Sequence, residues 1–232
     1  MMMHTRKFVN YCGGLLLIAL VLLSCQKDYY RDSGLQKGVY TISSYEFLQT
    51  QPFFFDTLVQ VIKLAGLEGE LRDSTNTFYA PTDHAIQKAM NVIHAVRYND
   101  FKDTLRLEEV PGEVWRKYLS RYIIRDKYML KDITRYDPLQ RKLYGGMNIE
   151  SLDGYIMHQG VIFSDYSGTK DVGPRKLVFT SIGDLASPFY MESQVATSDL
   201  QTKNGIVHVL DDNHVWGFNA SDFAETVQEY IK

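Results

Sequence analysis

The chain has 232 residues, 45% of them hydrophobic, with 25 Lys and Arg against 28 Asp and Glu and two cysteines. That length can bury one good-sized core, and a formal net charge of −3 argues against a nucleic-acid partner, whose capture relies on phosphate neutralisation by Lys and Arg. Cys12 and Cys25 both lie near the N-terminus, so the rest of the chain can form neither a disulfide nor a thiolate metal site.

Residues 1–24 have the form of a lipoprotein signal peptide. Arg6 and Lys7 make a positive start, Gly13 to Leu23 is an apolar run of 11 residues, and Leu22-Leu23-Ser24-Cys25 ends in a small residue and a cysteine. The run is shorter than the roughly 20 residues of a membrane-spanning helix. The alternative is an uncleaved anchor that also uses Phe8 and Val9. Cleavage before Cys25 would leave a lipidated chain of 208 residues on the outer membrane, and loss of Arg6 and Lys7 would leave 23 basic against 28 acidic residues, a charge of −5. Gln26-Lys27-Asp28 resembles the short charged export signals of surface lipoproteins in Bacteroides-like bacteria, which implies exposure at the cell surface. Residues 25–38 then read as lipid site and polar tether, with Asp28 to Gly38 lacking any clear period.

Packing is expected from Val39 onward. Tyr45 to Leu48 and Phe53 to Leu64 have helical spacing, with Phe54, Leu58, Val61, Ile62 and Ala65 on one face, Pro52 in the first turn and Gly66 as the stop. The run Phe53-Phe54-Phe55 is expected to pack inward, since a binding patch would require at least one of the three to be exposed. Thr75 to Tyr79 reads as a strand. Pro81 ends it by Ala80, and Thr82 or Asp83 is placed to cap a helix that buries Ala85, Ile86, Ala89, Met90 and Ile93. Asn91 to Arg106 continues that helix into a surface loop. Pro111-Gly112 then opens a helix with Val114, Tyr118, Leu119 and Tyr122 on one face.

Beyond Tyr122 the pattern changes to short segments punctuated by glycine, typical of antiparallel strands: Leu143 to Gly146, Met147 to Leu152, Tyr155 to His158, Gly160 to Phe163, Lys176 to Thr180 and Gln194 to Thr197. Ile206 to Leu210 reads as a central strand buried on both faces, entered through the turn Asn204-Gly205. His208 therefore falls on an apolar face, where an imidazole bonded to backbone is favoured over a ligand. Asp211-Asp212-Asn213 and His214 match neither a calcium loop nor a zinc helix and read as a turn. Phe223 to Tyr230 has helical spacing and is expected to dock on the outside, as an extension over residues 219–232. Helices gather in the first half and strands in the second, which favours an α+β fold.

Two stretches resemble the signatures of fasciclin (FAS1) domains. Asn76 to Ile86, "NTFYAPTDHAI", is similar to the first, with Thr77, Phe78, Ala80, Pro81, Thr82 and Asp83 at the motif positions, Tyr79 inserted and Ile86 in place of an aromatic. Asn204 to Asp211, "NGIVHVLD", is similar to the second through Asn204, Gly205, His208 and Asp211. Phe54 to Leu71 also resembles the opening helix of that family. The resemblance implies a wedge-shaped β-sandwich with packed helices over residues 39–218, and a role in adhesion or extracellular recognition. The family's Tyr-His pair is not reproduced, because Arg121-Tyr122 stands there, so adhesion through that segment does not carry over.

No nucleophile elbow, phosphate-cradling glycine loop or dinucleotide fingerprint occurs. No catalytic residue, cofactor or metal is therefore expected. The partner is expected to be an extracellular protein or, alternatively, a polysaccharide handled with an outer-membrane uptake system. The exposed surface that would bind either is not legible, even among 16 tyrosines.

Overall fold

The computed structural model describes residues 38–231; the expected signal peptide, Cys25 and most of the expected tether lie outside the described residues. Helices α1 (Ser44–Gln49), α2 (Pro52–Leu64) and α3 (Glu68–Asp73) precede strand β1 (Asn76–Ala80) and helix α4 (Asp83–Asn99). Helix α5 (Gly112–Leu119) then runs through a 3-10 turn, Ser120–Tyr122, into β2 (Ile123–Ile124). Strands β3 (Met147–Glu150), β4 (Ile156–Phe163), β5 (Arg175–Asp184), β6 (Ser187–Gln201) and β7 (Gly205–Leu210) follow, and α6 (Ala220–Tyr230) closes the chain.

Hydrogen bonding links seven strands in the order β2-β1-β7-β6-β5-β4-β3. The ladder is continuous, but it is bent along β6, whose pairing with β7 shifts register between Val195 and Thr197 and again between Thr197 and Leu200. Each extra residue increases local twist and turns the strand. The two halves consequently fold face to face: the ring of Tyr79 on β1 stacks on Phe179 of β5, 3.8 Å between centroids and 3° from parallel, although two strands separate them in the ladder. This is the wedge-shaped sandwich of an α+β fold. Its centre is aromatic, with Tyr79, Phe78 and Phe179 fully buried.

The helices form where the apolar spacing and terminal residues demand. Pro52 is the first residue of α2, and Gly66, at φ +63°, ends it: the Leu67 amide donates to the Ile62 carbonyl at 3.1 Å and the Gly66 amide to Lys63 at 3.0 Å. This is the pair of bonds by which a left-handed residue satisfies the last carbonyls of a helix. The face of α2 that is buried differs from the expected one by a residue. Phe55, Leu58, Val59, Val61 and Ile62 point inward, whereas Phe54 is 47% and Phe53 88% exposed. Helix rotation explains the difference, because adjacent residues lie about 100° apart around the axis and three successive phenylalanines cannot all face one core.

Helix α4 buries Ala85, Ile86, Ala89, Met90 and Ile93. Its first-turn amides receive no side-chain cap; Thr82 stands at the N-cap position, but its hydroxyl donates instead to Asp212 Oδ1 at 2.9 Å. Asp83 turns away from its own helix and accepts from the backbone amides of Thr57 and Leu58 at 3.0 and 2.8 Å, tying α4 to α2. Leu143 to Gly146 is a turn rather than a strand. Helix α6 places Phe223 and Val227 in the core, with the Phe223 ring 5.1 Å from Trp115 and 5.0 Å from Tyr118. Among the described residues, no helix is long and apolar enough to cross a membrane.

Candidate functional site

The two motif stretches, far apart in sequence, are adjacent parallel strands. Asn76 pairs with Gly205, Thr77 with Ile206, Phe78 with Val207, Tyr79 with His208 and Ala80 with Val209. Phe78 and Ala80 are fully buried, and Pro81 stops the strand beside them. Thr77 Oγ1 donates to the Asp126 carbonyl at 2.6 Å and accepts from the Tyr128 amide at 2.8 Å. Asn204 accepts from the Ser44 amide at 2.9 Å and donates to the carbonyls of Leu71 and Ser74 at 3.1 and 2.7 Å. A Cβ on Gly205 would lie 2.4 Å from the Asn76 carbonyl oxygen, so the close approach of these strands leaves room only for hydrogen there.

His208 has no solvent exposure, and both ring nitrogens are bonded to backbone. Nδ1 accepts from the Asp199 amide at 3.2 Å, so Nε2 carries the proton and donates to the Tyr128 carbonyl at 2.9 Å. Asp199 sits in the irregular stretch of β6 at φ +61°. The imidazole therefore binds an amide that the bent ladder has left without its regular partner. Burial lowers the His208 pKa, which keeps the ring neutral.

The turn after β7 builds a second imidazole site, 92 residues from its main partner. Asp211 Oδ1 accepts from the amides of Asn213 and His214, both at 3.2 Å, and turns the chain so that His214 points inward. The Gly217 amide donates to the Tyr122 oxygen at 2.7 Å, and that hydroxyl is hydrogen-bonded to His214 Nε2 at 2.8 Å. On its other side His214 Nδ1 bonds Ser193 Oγ at 2.6 Å, and which ring nitrogen donates follows the tautomer. Burial is the main cause of a His214 pKa lowered to about 3, with Lys88 adding to it.

Ser193 and His214 line a cleft of about 220 Å³ together with Glu192, Asp211 and Phe218. The arrangement brings serine and histidine into contact, but both are buried and the imidazole pKa is lowered to about 3, which makes the ring a weak base for activating a hydroxyl. His214 acts as a bonded core element that holds the 211–218 segment against the Ser120–Tyr122 turn and β6. The sequence contains both residues, but only the fold shows that Tyr122, His214 and Ser193 meet. Among the described residues, no group of three His, Asp or Glu side chains is assembled as a metal site.

A different surface lies along α2 and α4. A groove of about 480 Å³ has Ile86, Met90, Leu105 and Leu107 in its lining together with the polar side chains of Asp83, His84, Gln87, Asn91, His94 and Arg106, and Thr57 of α2 forms part of its wall. One turn before Thr57, the rings of Phe53 and Phe54 meet edge to face, 4.9 Å between centroids, while exposed to solvent. Exposed aromatic rings beside an apolar groove can take an apolar partner without any chemistry.

The profile of the fasciclin domain matches residues 54–213. No match is found among curated proteins. Among solved structures, a FAS1 domain pair from the insect cell adhesion molecule Fasciclin I is similar at 18% sequence identity and a TM-score of 0.48, over 74% of this chain and 50% of that one. This chain thus spans half the length of that domain pair.

Proposed function

The chain belongs to the fasciclin domain family, and on that premise we propose that it is a lipid-anchored module for adhesion or extracellular recognition, which binds a protein partner non-covalently. The observation that carries this reading is the exposed Phe53–Phe54 pair beside the apolar groove of α2 and α4. A protein segment bearing apolar anchors fits that surface, because buried aromatic contacts supply most of the energy of a typical interface. Cys25 would hold the domain on the outer membrane at the cell surface, and the tether would let it reach its partner.

A second reading, a polysaccharide-binding accessory protein of an outer-membrane uptake system, is favoured by a separate feature. The Arg141 guanidinium lies 3.8 Å over the Tyr190 ring, two residues along β6 from Glu192 in the polar cleft. Aromatic rings beside polar groups suit sugars, which present both apolar faces and hydroxyls.

Residues 26–232, probed in parallel by chemical crosslinking to surface proteins and on a glycan array, separate the readings. Protein adducts formed by the native domain and lost in a Phe53→Ser/Phe54→Ser variant are expected. Adducts that persist in that variant would remove the groove from the reading, sugar binding alone would favour the accessory role, and turnover of any glycan would overturn the non-enzymatic assignment.

A further inference from the structure

Arg121 is the charged residue that the fold treats most unusually. It is only 9% exposed. Among the described residues, no carboxylate lies within ion-pairing distance of it and its guanidinium makes no hydrogen bond; Nε is buried without a partner. Arginine keeps its charge at any physiological pH, and a cation held largely out of water with no counter-charge is costly to the fold. The guanidinium is stacked instead on two rings, with Cζ 4.5 Å from the centre of Tyr118 and 4.4 Å from that of Tyr155.

Both rings are themselves fixed. The Tyr118 hydroxyl bonds Asp222 Oδ2 at 2.7 Å and Thr226 Oγ1 at 2.9 Å, and the Tyr155 hydroxyl bonds Ser181 Oγ at 3.1 Å. A guanidinium stacked on immobile rings is held in one orientation, so binding through its free N–H edge costs little further ordering. Lys117, one helical turn earlier, brings its ammonium to within 5.5 Å of the Tyr118 ring centre. Asp222 bonds the Tyr118 hydroxyl and Asp153 accepts from the Tyr155 amide, so each ring also has a carboxylate nearby, but neither reaches the Arg121 guanidinium.

We infer that Arg121 anchors a site for the carboxylate of a uronate sugar in an acidic polysaccharide. The flat guanidinium matches the two oxygens of a carboxylate, Lys117 adds charge, and Tyr155, only partly buried, offers ring surface to the C–H face of the adjoining pyranose. An acidic peptide would use the guanidinium but leave that ring surface unmatched. The inference rests on the polysaccharide reading of the domain and names the sugar chemistry it would take.

The full chain in detergent micelles is titrated with polygalacturonate, with the same polymer fully methyl-esterified, with a neutral galactan and with polyglutamate. Binding to polygalacturonate alone is expected, weakening with salt, and weaker by about tenfold or more in Arg121→Gln. Esterification removes the carboxylate without touching the protein, so this arm does not depend on whether the variant folds; the Phe53→Ser/Phe54→Ser variant should bind polygalacturonate as the native chain does. Equal binding of the esterified polymer or of polyglutamate, or undiminished binding by a folded Arg121→Gln variant, would overturn the site. Galactan binding without polygalacturonate binding would overturn it while leaving the polysaccharide reading in place, and the absence of all glycan binding would remove both.

Discussion

Acidification from about pH 8 to about pH 5 is expected to cost the fold about 2 kcal/mol through His214 alone. The ring is buried between Tyr122 and Ser193, and burial lowers its pKa from 6.5 in the exposed state to about 3 in the folded state. Below pH 6.5 the unfolded chain therefore takes up a proton that the folded chain refuses, so stability falls with pH until the folded ring itself titrates. Each pH unit in that window is worth about 1.4 kcal/mol. His158 and His208, whose pKa values burial also lowers, add to the loss. Burial raises the pKa of Asp83 and Glu192, which bind protons more readily when folded and oppose the loss once the pH approaches the carboxylate range. Above about pH 5 the histidine slope should consequently dominate. Urea unfolding across this range measures the slope, and the imidazole proton resonances of His214 should show no titration within it. A flat stability profile, or a His214 midpoint near its exposed value, would refute the buried neutral imidazole.

Gly217→Ala should destabilise by about 2 to 4 kcal/mol, because a methyl group there is forced both into a left-handed backbone at φ +70° and to within 2.6 Å of the Tyr118 ring. Gly168→Ala, at φ +79° with no atom within 4 Å of the new methyl, should cost only about 1 to 2 kcal/mol; equal losses in chemical denaturation would mean that the Tyr118 contact contributes nothing. His208→Ala strands the Tyr128 carbonyl and the Asp199 amide and should cost about 1 to 3 kcal/mol for each. Thermal unfolding is the check, and an unchanged transition would contradict the stitching role assigned to the ring.

Much of the architecture was legible because it depends on local periodicity and on residues with special backbones. The buried face of α4, the stop at Gly66, the strand ended by Pro81 and the two-sided burial of Ile206 to Leu210 follow from spacing and steric rules that hold whatever surrounds them. The failures share a cause. The exposure of Phe53 and Phe54 depends on the rotation of α2 against its neighbours, and the carboxylate of Asp83 leaves its own helix for the amides of another. The partners Tyr122, Ser193 and His214 are far apart in sequence, so no spacing rule connects them.

By itself, the sequence determined the α+β class, the segregation of helices and strands and the two motif strands, since these are set by which side chains prefer which backbone. Only the tertiary structure decided what the residues do beside one another. The bend in β6 puts Tyr79 on Phe179 and gives His208 an amide to hold. The packing of Tyr122 and Ser193 around His214 gives both ring nitrogens a partner, and the burial of Arg121 between its aromatic neighbours leaves a guanidinium without an ion pair. Burial and long-range contact are properties of the packed chain, because a side chain's energy in water says nothing of the groups that will replace the water.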